Sequence, residues 1–386
     1  MSNTAPAKKA KNLVKTACKV VRTIETSLVN KDEVFRMLAL AETTKLPLLL
    51  IGNPGVAKTK TVIDFAKGRV QHGVDRNNKK AWEEANRNFM SSIYILETDE
   101  GTKASEVKGM PDMEELFTKN KYKLLTPIAE ADFVVINEVD KASSNIRNSL
   151  LGVMNERFLF NGKIKTPCKW ELFVATCNGI PKEELGNPFW DRFVLKMKVS
   201  RITAGELSKY FNNGAREYRE WVKVGIPSRD EINSIIIPSD KLEKFLDVCY
   251  SQCSDRTLTY TPMLAKAISF IWNVSIDKAL IKVAELMVST KAASDLQDKL
   301  LSPQMKVLTG KVEMLHTAKT AESQKNLLDD INKTIGNYAS TGQVSQSDID
   351  ELQLSINYII DNVVLQEDAD MAEVADDMEE LAEEFE

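Results

Sequence analysis

Residues 46–61 read Leu-Pro-Leu-Leu-Leu-Ile-Gly-Asn-Pro-Gly-Val-Ala-Lys-Thr-Lys-Thr: an apolar run, a Gly/Pro-rich turn, then Lys-Thr opening a helix-compatible segment. The run Leu48 to Ile51 is short, continuously apolar and ended by turn residues, which predicts a strand buried on both faces of a parallel sheet. Gly52 and Gly55 let the chain curl so that successive backbone N–H groups point inward, and the following helix adds the positive end of its dipole. Residues Gly52, Asn53, Pro54, Gly55, Val56, Ala57, Lys58, Thr59 and Lys60 are therefore predicted to cradle phosphate groups. Lys58 supplies a point charge for the β- and γ-phosphates, and the Thr59 hydroxyl a ligand for Mg²⁺. The usual spacing is G-x-x-x-x-G-K-[ST], and Ala57 stands where the second glycine is expected. Alanine is the smallest replacement and tolerates a helix start, so the departure reads as mild.

The chain has 386 residues, too many for one compact core, and predicts two or three units. Its hydrophobic content of 43% and charged content of 28% are those of a soluble globular protein. There is no apolar run long enough to span a bilayer and no signal-peptide core at the N-terminus, so the expectation is a cytoplasmic protein without membrane contact. The five cysteines (Cys18, Cys168, Cys177, Cys249 and Cys253) contain no C-x-x-C pair, and there are two histidines, which argues against a zinc site or a disulfide framework. Net charge is −5, yet eleven acidic and no basic residues lie from Glu367 onward, so the rest of the chain is net basic. Lys8, Lys9, Lys11, Lys15, Lys19 and Arg22 precede the first acid, Glu25. A basic head is followed, far downstream, by an acidic tail.

Along the chain, Val34, Met37, Leu38 and Ala41 predict a helix from about Glu33 to Glu42, and a second helix follows the phosphate loop through Val62 and Phe65. The polar stretch Gln71 to Asn88 reads as an insertion. Ile93 to Leu96 is a second buried strand. Phe133 to Ile136 is a third, with Asn137, Glu138 and Asp140 at its carboxyl end, which is where ligands sit in an open α/β sheet. Phe158 to Ile164 carries the Asn-Gly signature of a tight hairpin. Glu171 to Ala175 is a strand ending in Thr176-Cys177-Asn178, and Phe193 to Val199 another, preceded by Asp191-Arg192. Strands alternating with helices to residue 200 predict a parallel, doubly wound α/β sheet. Beyond Ser200 the periodicity reads as purely helical, with capping boxes at Thr203/Glu206 and Ser228/Glu231. A helical hairpin is expected further on, from Leu328, Ile331, Ile335 and Tyr338 to Leu352, Ile356, Ile359, Ile360 and Val363, with Ser347 and Asp350 capping its second arm. In the acidic tail, Met371, Val374, Met378, Leu381 and Phe385 form an apolar stripe that suits either an amphipathic docking helix or a solvated tail.

Hydrolysing a nucleotide requires phosphates cradled, Mg²⁺ held, a water oriented and charge on the departing γ-phosphoryl neutralised. Lys58 and Thr59 meet the first needs. Glu138 is placed to polarise the water, Asn178 to hold that water or a γ-phosphate oxygen, and Arg192 and Arg256 to supply positive charge.

The order of phosphate loop, strand with acid, strand with Asn, Arg and then a helical segment resembles an AAA+ ATPase. The phrase Gly-Asn-Pro-Gly-Val-Ala-Lys-Thr resembles its MoxR branch. Met154-Asn155-Glu156-Arg157-Phe158 through Asn161-Gly162, Ala175-Thr176-Cys177-Asn178 and Trp190-Asp191-Arg192-Phe193 resemble RavA-type members of that branch. The resemblance covers roughly residues 30–275. It implies a P-loop NTPase core over residues 31–200 and an all-α lid over 201–290; helical periodicity and charge, not the resemblance, mark off a helical C-terminal region over 291–365, the acidic tail from 366 and a basic N-terminal segment of residues 1–30. It implies that Gly52 to Lys60 bind ATP or ADP with Mg²⁺, that Glu138 is the Walker B acid, Asn178 sensor 1, Arg192 the arginine finger reaching a neighbouring subunit and Arg256 sensor 2. It further implies a homo-oligomeric ring, a hexamer in the family, that remodels protein clients, often ones with von Willebrand factor A (vWA) domains. The hairpin at Asn161-Gly162, with Phe158 and Phe160, sits where helix-2-insert relatives carry a pore-facing element, and Lys108-Gly109-Met110 is a second pore-loop candidate.

The family's Walker B strand ends in Asp-Glu and this one ends in Asn137-Glu138. An Asn carbonyl can still hold a metal-bound water, so Asn137 joins Thr59 in the metal set, but a formal negative charge is missing. The expectation is metal affinity or turnover lowered on the order of tenfold, or about 1.4 kcal/mol. A remodelling ATPase, a weakly hydrolysing scaffold ring and a nucleic-acid motor all remain compatible with these residues.

Overall fold

The structure is a computed structural model that describes residues 21–26, 31–72, 74, 77–119, 124–161, 164–181, 184, 187–201, 220–317, 321–340, 349, 352–353 and 356. Five apolar runs, β1 (Leu48–Ile51), β2 (Ile93–Glu97), β3 (Phe133–Asn137), β4 (Leu172–Cys177) and β5 (Leu195–Lys198), pair side by side in the order β5-β1-β4-β3-β2. Every pairing is parallel. The predicted α/β sheet is therefore present, and β4 lies between the strand that leads into the Gly52–Lys60 loop and the strand that ends in Asn137.

Both faces are covered, as a parallel sheet requires. Leu48, Leu50, Val135 and Val174 point into one core, and Leu49, Val134, Ile136 and Phe173 into the other. The period-2 alternation of side chains along each strand sorts neighbouring residues into opposite layers. Helices α1 (Asp32–Thr44) and α2 (Lys58–Val70) cover the first face, with the rings of Phe35 and Phe65 stacked 6.2 Å apart. The polar stretch Gln71 to Asn88 carries regular structure. Most of it belongs to α3 (Lys79–Ser92), which is capped by Asn78 accepting from the Ala81 N–H and buries Ala85 and Phe89. Its five apolar residues, Ala81, Trp82, Ala85, Phe89 and Met90, are outnumbered by nine polar ones and only two of them are buried, so the polar majority masks the stripe. On the second face, α4 (Ser144–Leu151) buries Ile146 and Leu150.

The region beyond Ser200 is not purely helical. A strand, Glu220–Gly225, pairs antiparallel with Val21–Thr26. Its partner lies some two hundred residues upstream, so no local pattern could report the pairing. Helices α5 (Asp255–Ile271), α6 (Ile276–Met287) and α7 (Thr290–Leu300) then pack into the same core as α1. Trp272 and Lys282 both donate to Glu33 at the start of α1, at 3.0 and 2.8 Å. The box at Ser228 forms as expected: Ser228 Oγ accepts the Glu231 N–H and Glu231 accepts the Ser228 N–H at 2.7 Å. A third, smaller core joins α8 (Pro303–Thr317) and α9 (Ala321–Ser340) to Ile349, Leu352 and Ile356. The first arm of the expected helical hairpin lies in α9, and Leu352 and Ile356 of the second share its core with α8; Ile359, Ile360 and Val363 lie outside the described residues. The Thr203/Glu206 and Ser347/Asp350 caps, the basic head before residue 21 and the tail stripe lie outside the described residues.

The hairpin pairs Phe158–Asn161 with Ile164–Pro167 in register from Phe158↔Pro167 to Asn161↔Ile164. Phe160 is exposed and Phe158 half-buried, with the Lys165 ammonium 3.8 Å above the Phe158 ring. Among the described residues no helix is long and apolar enough to cross a membrane.

Candidate functional site

The strand registers align Ile51 with Cys177 and Glu97 with Asn137, so the carboxyl ends of β1, β4, β3 and β2 lie along one edge of the sheet. The segments that follow them carry the candidate residues.

The loop after β1 is held from beneath. The Gly52 N–H donates to Cys177 O at 3.1 Å, and a Cβ on Gly52 would stand 2.5 Å from the backbone carbonyl of Val199. Glycine is required there by close approach, whereas Gly55 is required by its left-handed φ of +82° and has open space around it. Val56 is buried and anchors the turn, while Asn53, Pro54, Gly55 and Lys60 face outward, Lys60 paired with Asp64 one helical turn on. Ala57 precedes α2 with φ +62°, ψ +29°, a left-handed backbone. The departure from glycine is therefore not mild in the sense read from helix propensity: the position is outside the helix and strained for any residue with a Cβ.

Lys58 reaches back over this loop. Its ammonium donates to Gly52 O, to Asn53 O at 3.2 Å and to Asn178 Oδ1 at 3.3 Å. Lys58 and Asn178, 120 positions apart, thus share one end of the site. At the other end, Thr59 Oγ1 donates to Asn137 Oδ1 at 2.8 Å, and Thr176 Oγ1 donates to the same oxygen at 3.3 Å. The other half of the Asn137 amide donates through Nδ2 to Glu97 Oε1 at 2.6 Å. Asn137 is 2% exposed. A carboxylate only accepts, so the nitrogen must face Glu97 and the oxygen must face the two hydroxyls. Thr98, buried beside it, shares its hydroxyl proton between the carbonyls of Asn137 and Glu138 and gives its own N–H to Asn137 O.

Glu138 leaves the strand in a left-handed conformation, φ +55°, ψ +40°, and its N–H donates to Thr176 Oγ1 at 3.2 Å. Its carboxylate is half-exposed and paired with Lys141 at 2.6 Å. The Lys141 ammonium is held above the ordinary lysine range, first by that hydrogen bond and then by the charge of Glu138. Asp140 accepts the backbone N–H of Asn178 at 3.3 Å, which ties the end of β4 to the turn after β3. Cys177 lies under the loop, and burial pushes its thiol up to about 12. An open cavity of about 750 Å³ begins at this turn, lined among others by Asp99, Asp140, Lys141 and Arg147.

Arg192 is not bonded into this cluster. Arg192 ends the short helix Pro188–Asp191; it is half-buried and its side chain makes no hydrogen bond or ion pair among the described residues. The segment that carries it is braced by Trp190, whose indole N–H donates to Glu184 at 2.8 Å, while Arg147 grips Glu184 with two nitrogens. Arg256 occupies the first turn of α5, and its side chain is outside the described atoms. Glu97, Thr98 and Lys141 stand at this edge although their sequence context did not single them out, and Thr176 was singled out only as part of a motif phrase. Position alone signals them, since each ends or follows a strand whose carboxyl end meets the loop.

The description "MoxR domain in the MoxR-vWA-beta-propeller ternary systems" matches residues 15–234, more than half of the chain. Structural protein ORF618 of Acidianus two-tailed virus is 27% identical over 198 residues, 49% of this chain and 29% of that protein. The uncharacterized protein MJ0079 of Methanocaldococcus jannaschii is 29% identical over 161 residues, 41% of this chain and 37% of its own length. The chain thus spans well under half the length of these relatives. A crystal structure of a candidate ATPase from Cytophaga hutchinsonii superimposes with a TM-score of 0.49 at 16% identity, covering 79% of this chain and 93% of that one. A parallel sheet in the order β5-β1-β4-β3-β2, a lysine-bearing loop after β1, an acid after β3, an asparagine after β4 and the match over residues 15–234 have one common reading: the chain belongs to the MoxR family of AAA+ ATPases.

Proposed function

We propose that this protein binds ATP at the carboxyl edge of the sheet, hydrolyses it in a ring of its own copies, and uses turnover to remodel a protein partner that carries a vWA domain. The observation that carries the reading is convergence: Lys58 and Asn178 meet at 3.3 Å and Thr59 and Asn137 at 2.8 Å, although each pair is far apart in sequence. The vWA partner is supported by the family description, and the likeness to RavA-type members by the motif phrases at 154–162, 175–178 and 190–193.

In this reading the curled backbone from Gly52 to Lys60 cradles the β- and γ-phosphates, and Lys58 leaves its loop carbonyls to pair with them. Glu138 accepts the proton of the attacking water, Asn178 orients that water, and ADP departs with the β-phosphate oxygen. Arg192 acts on a neighbour's nucleotide and Arg256 acts from the lid. Mg²⁺ fits the oxygen donors of Thr59 and Asn137, which are hard ligands; no group of three or more His, Cys, Asp or Glu among the described residues would hold a metal by itself. When bound it neutralises phosphate charge. The core of residues 31–200 performs the chemistry, and 201–290, 291–365 and the acidic tail serve as lid and docking elements. Four unpaired cysteines among the described residues support a cytoplasmic setting.

The test is ATP binding and phosphate release by the wild type, Lys58→Ala and Glu138→Gln. Lys58→Ala is expected to lose binding, and Glu138→Gln to retain ATP while releasing phosphate at least about a hundredfold more slowly. Wild-type turnover in Glu138→Gln would remove that residue from its role. A second reading, a nucleotide-dependent structural ring with little turnover, is favoured by Asn137 and by the viral relative being a structural protein. Tight ATP binding with phosphate release independent of Glu138 is its signature.

A further inference from the structure

The sequence shows Asn137 where a carboxylate is expected, and the structure shows a carboxylate next door. Glu97, at the last position of β2, stands opposite Asn137 in the parallel register and accepts its amide at 2.6 Å. The amide orientation is dictated by that acceptor, and the oxygen it turns away is the one that receives Thr59 and Thr176. A carboxylate bonded to one end of an amide also polarises it, which increases the partial negative charge on the oxygen at the other end.

We propose that Glu97 is the positioning residue of the metal end of this site, supplying from the neighbouring strand the negative charge that Asn137 lacks. The proposal rests on the reading of Thr59 and Asn137 as the magnesium end of an ATP site. Asn137 is then not a weakened aspartate but half of an acid–amide pair in which the two residue types have changed places. An aspartate at 137 with Glu97 retained would set two carboxylates against each other at hydrogen-bond distance, and their repulsion would turn the site's acceptor away from Thr59. The pair tolerates one carboxylate and one amide, on either strand.

The test measures the Mg²⁺ concentration that half-saturates binding of a fluorescent ATP analogue, so that the readout does not depend on turnover. Glu97→Gln keeps the shape and removes the charge from an exposed side chain; it is expected to raise the Mg²⁺ requirement about tenfold, the usual loss when a partner of a metal-site group is removed. Asn137→Asp alone is expected to give no gain over the wild type. The double variant Glu97→Gln/Asn137→Asp restores one acid and one amide and is expected to return within about twofold of the wild type, a rescue that requires the two contacting residues to be coupled. An unchanged Mg²⁺ requirement in Glu97→Gln, or tighter Mg²⁺ dependence in Asn137→Asp alone, overturns the proposal while leaving the ATP site intact. Absence of Mg²⁺-dependent nucleotide uptake by the wild type overturns the ATP site as well.

Discussion

Thr59 and Asn137 are joined by a hydroxyl-to-carboxamide hydrogen bond of 2.8 Å across 78 positions of sequence. One belongs to the first turn of α2 and the other to the end of β3, with β4 lying between β1 and β3. The bond therefore measures how well loop, helix and sheet are seated together. Thr59→Val keeps the shape and deletes the hydroxyl. It is expected to raise the Mg²⁺ requirement for ATP binding by about tenfold or more, with Thr59→Ser remaining close to the wild type. Equal behaviour of the Val and Ser variants in a nucleotide titration would show that the hydroxyl is dispensable.

Ala57 has a left-handed backbone, and Gly52 and Gly55 differ in why they are glycine. Ala57→Gly is expected to stabilise the protein by about 1 kcal/mol, since the strain of an L-residue at this φ is relieved and part of the gain is lost to the looser unfolded chain. Gly55→Ala is expected to cost about 1 kcal/mol through backbone strain alone. Gly52→Ala is expected to cost more, about 2 kcal/mol or above, because a rigid carbonyl lies in the way. Denaturant midpoints order the three variants; a destabilised Ala57→Gly would contradict the assigned strain.

The Lys141 ammonium is raised above its ordinary range by Glu138, so its contribution is fully present below the unfolded lysine value and is lost only as pH rises through the raised one. The Glu138–Lys141 pair is accordingly expected to persist unchanged from weakly acidic to weakly alkaline solution. The difference in thermal midpoint between wild type and Lys141→Met should stay constant over that window and shrink in strong alkali. A difference that changes near neutrality would assign the effect to another group.

Cys177 underlies the loop after β1, its carbonyl accepting the Gly52 N–H, and its thiol, raised to about 12 by burial, stays protonated at neutral pH. Iodoacetamide is expected to leave it unmodified in the native protein and to label it after denaturation, as peptide mass spectrometry would resolve. Rapid labelling of the folded chain would mean that the loop lifts from Cys177 O on that timescale.

Much of the α/β core was legible because buried parallel strands are uniformly apolar. Leu48–Ile51, Ile93–Glu97 and Phe133–Asn137 begin where the apolar runs begin. The helix α3 was not legible, because it hides only Ala85 and Phe89. The ribbon of Val21–Thr26 and Glu220–Gly225 was not legible either, because each strand finds its hydrogen-bond partner some two hundred residues away in sequence.

The sequence by itself determined the chemistry available: a curled lysine-threonine loop, an acid and an asparagine, each at the end of a strand-forming run, because residue type and local periodicity are properties of short segments. Only the tertiary structure decided what those groups face. Whether Ala57 is helical or left-handed, which side of its amide Asn137 turns to Thr59, and that Glu97 stands beside it all follow from the strand order and register. Register is a relation between segments distant in sequence, set by how two hydrophobic layers close over one sheet, and it is written in no single segment.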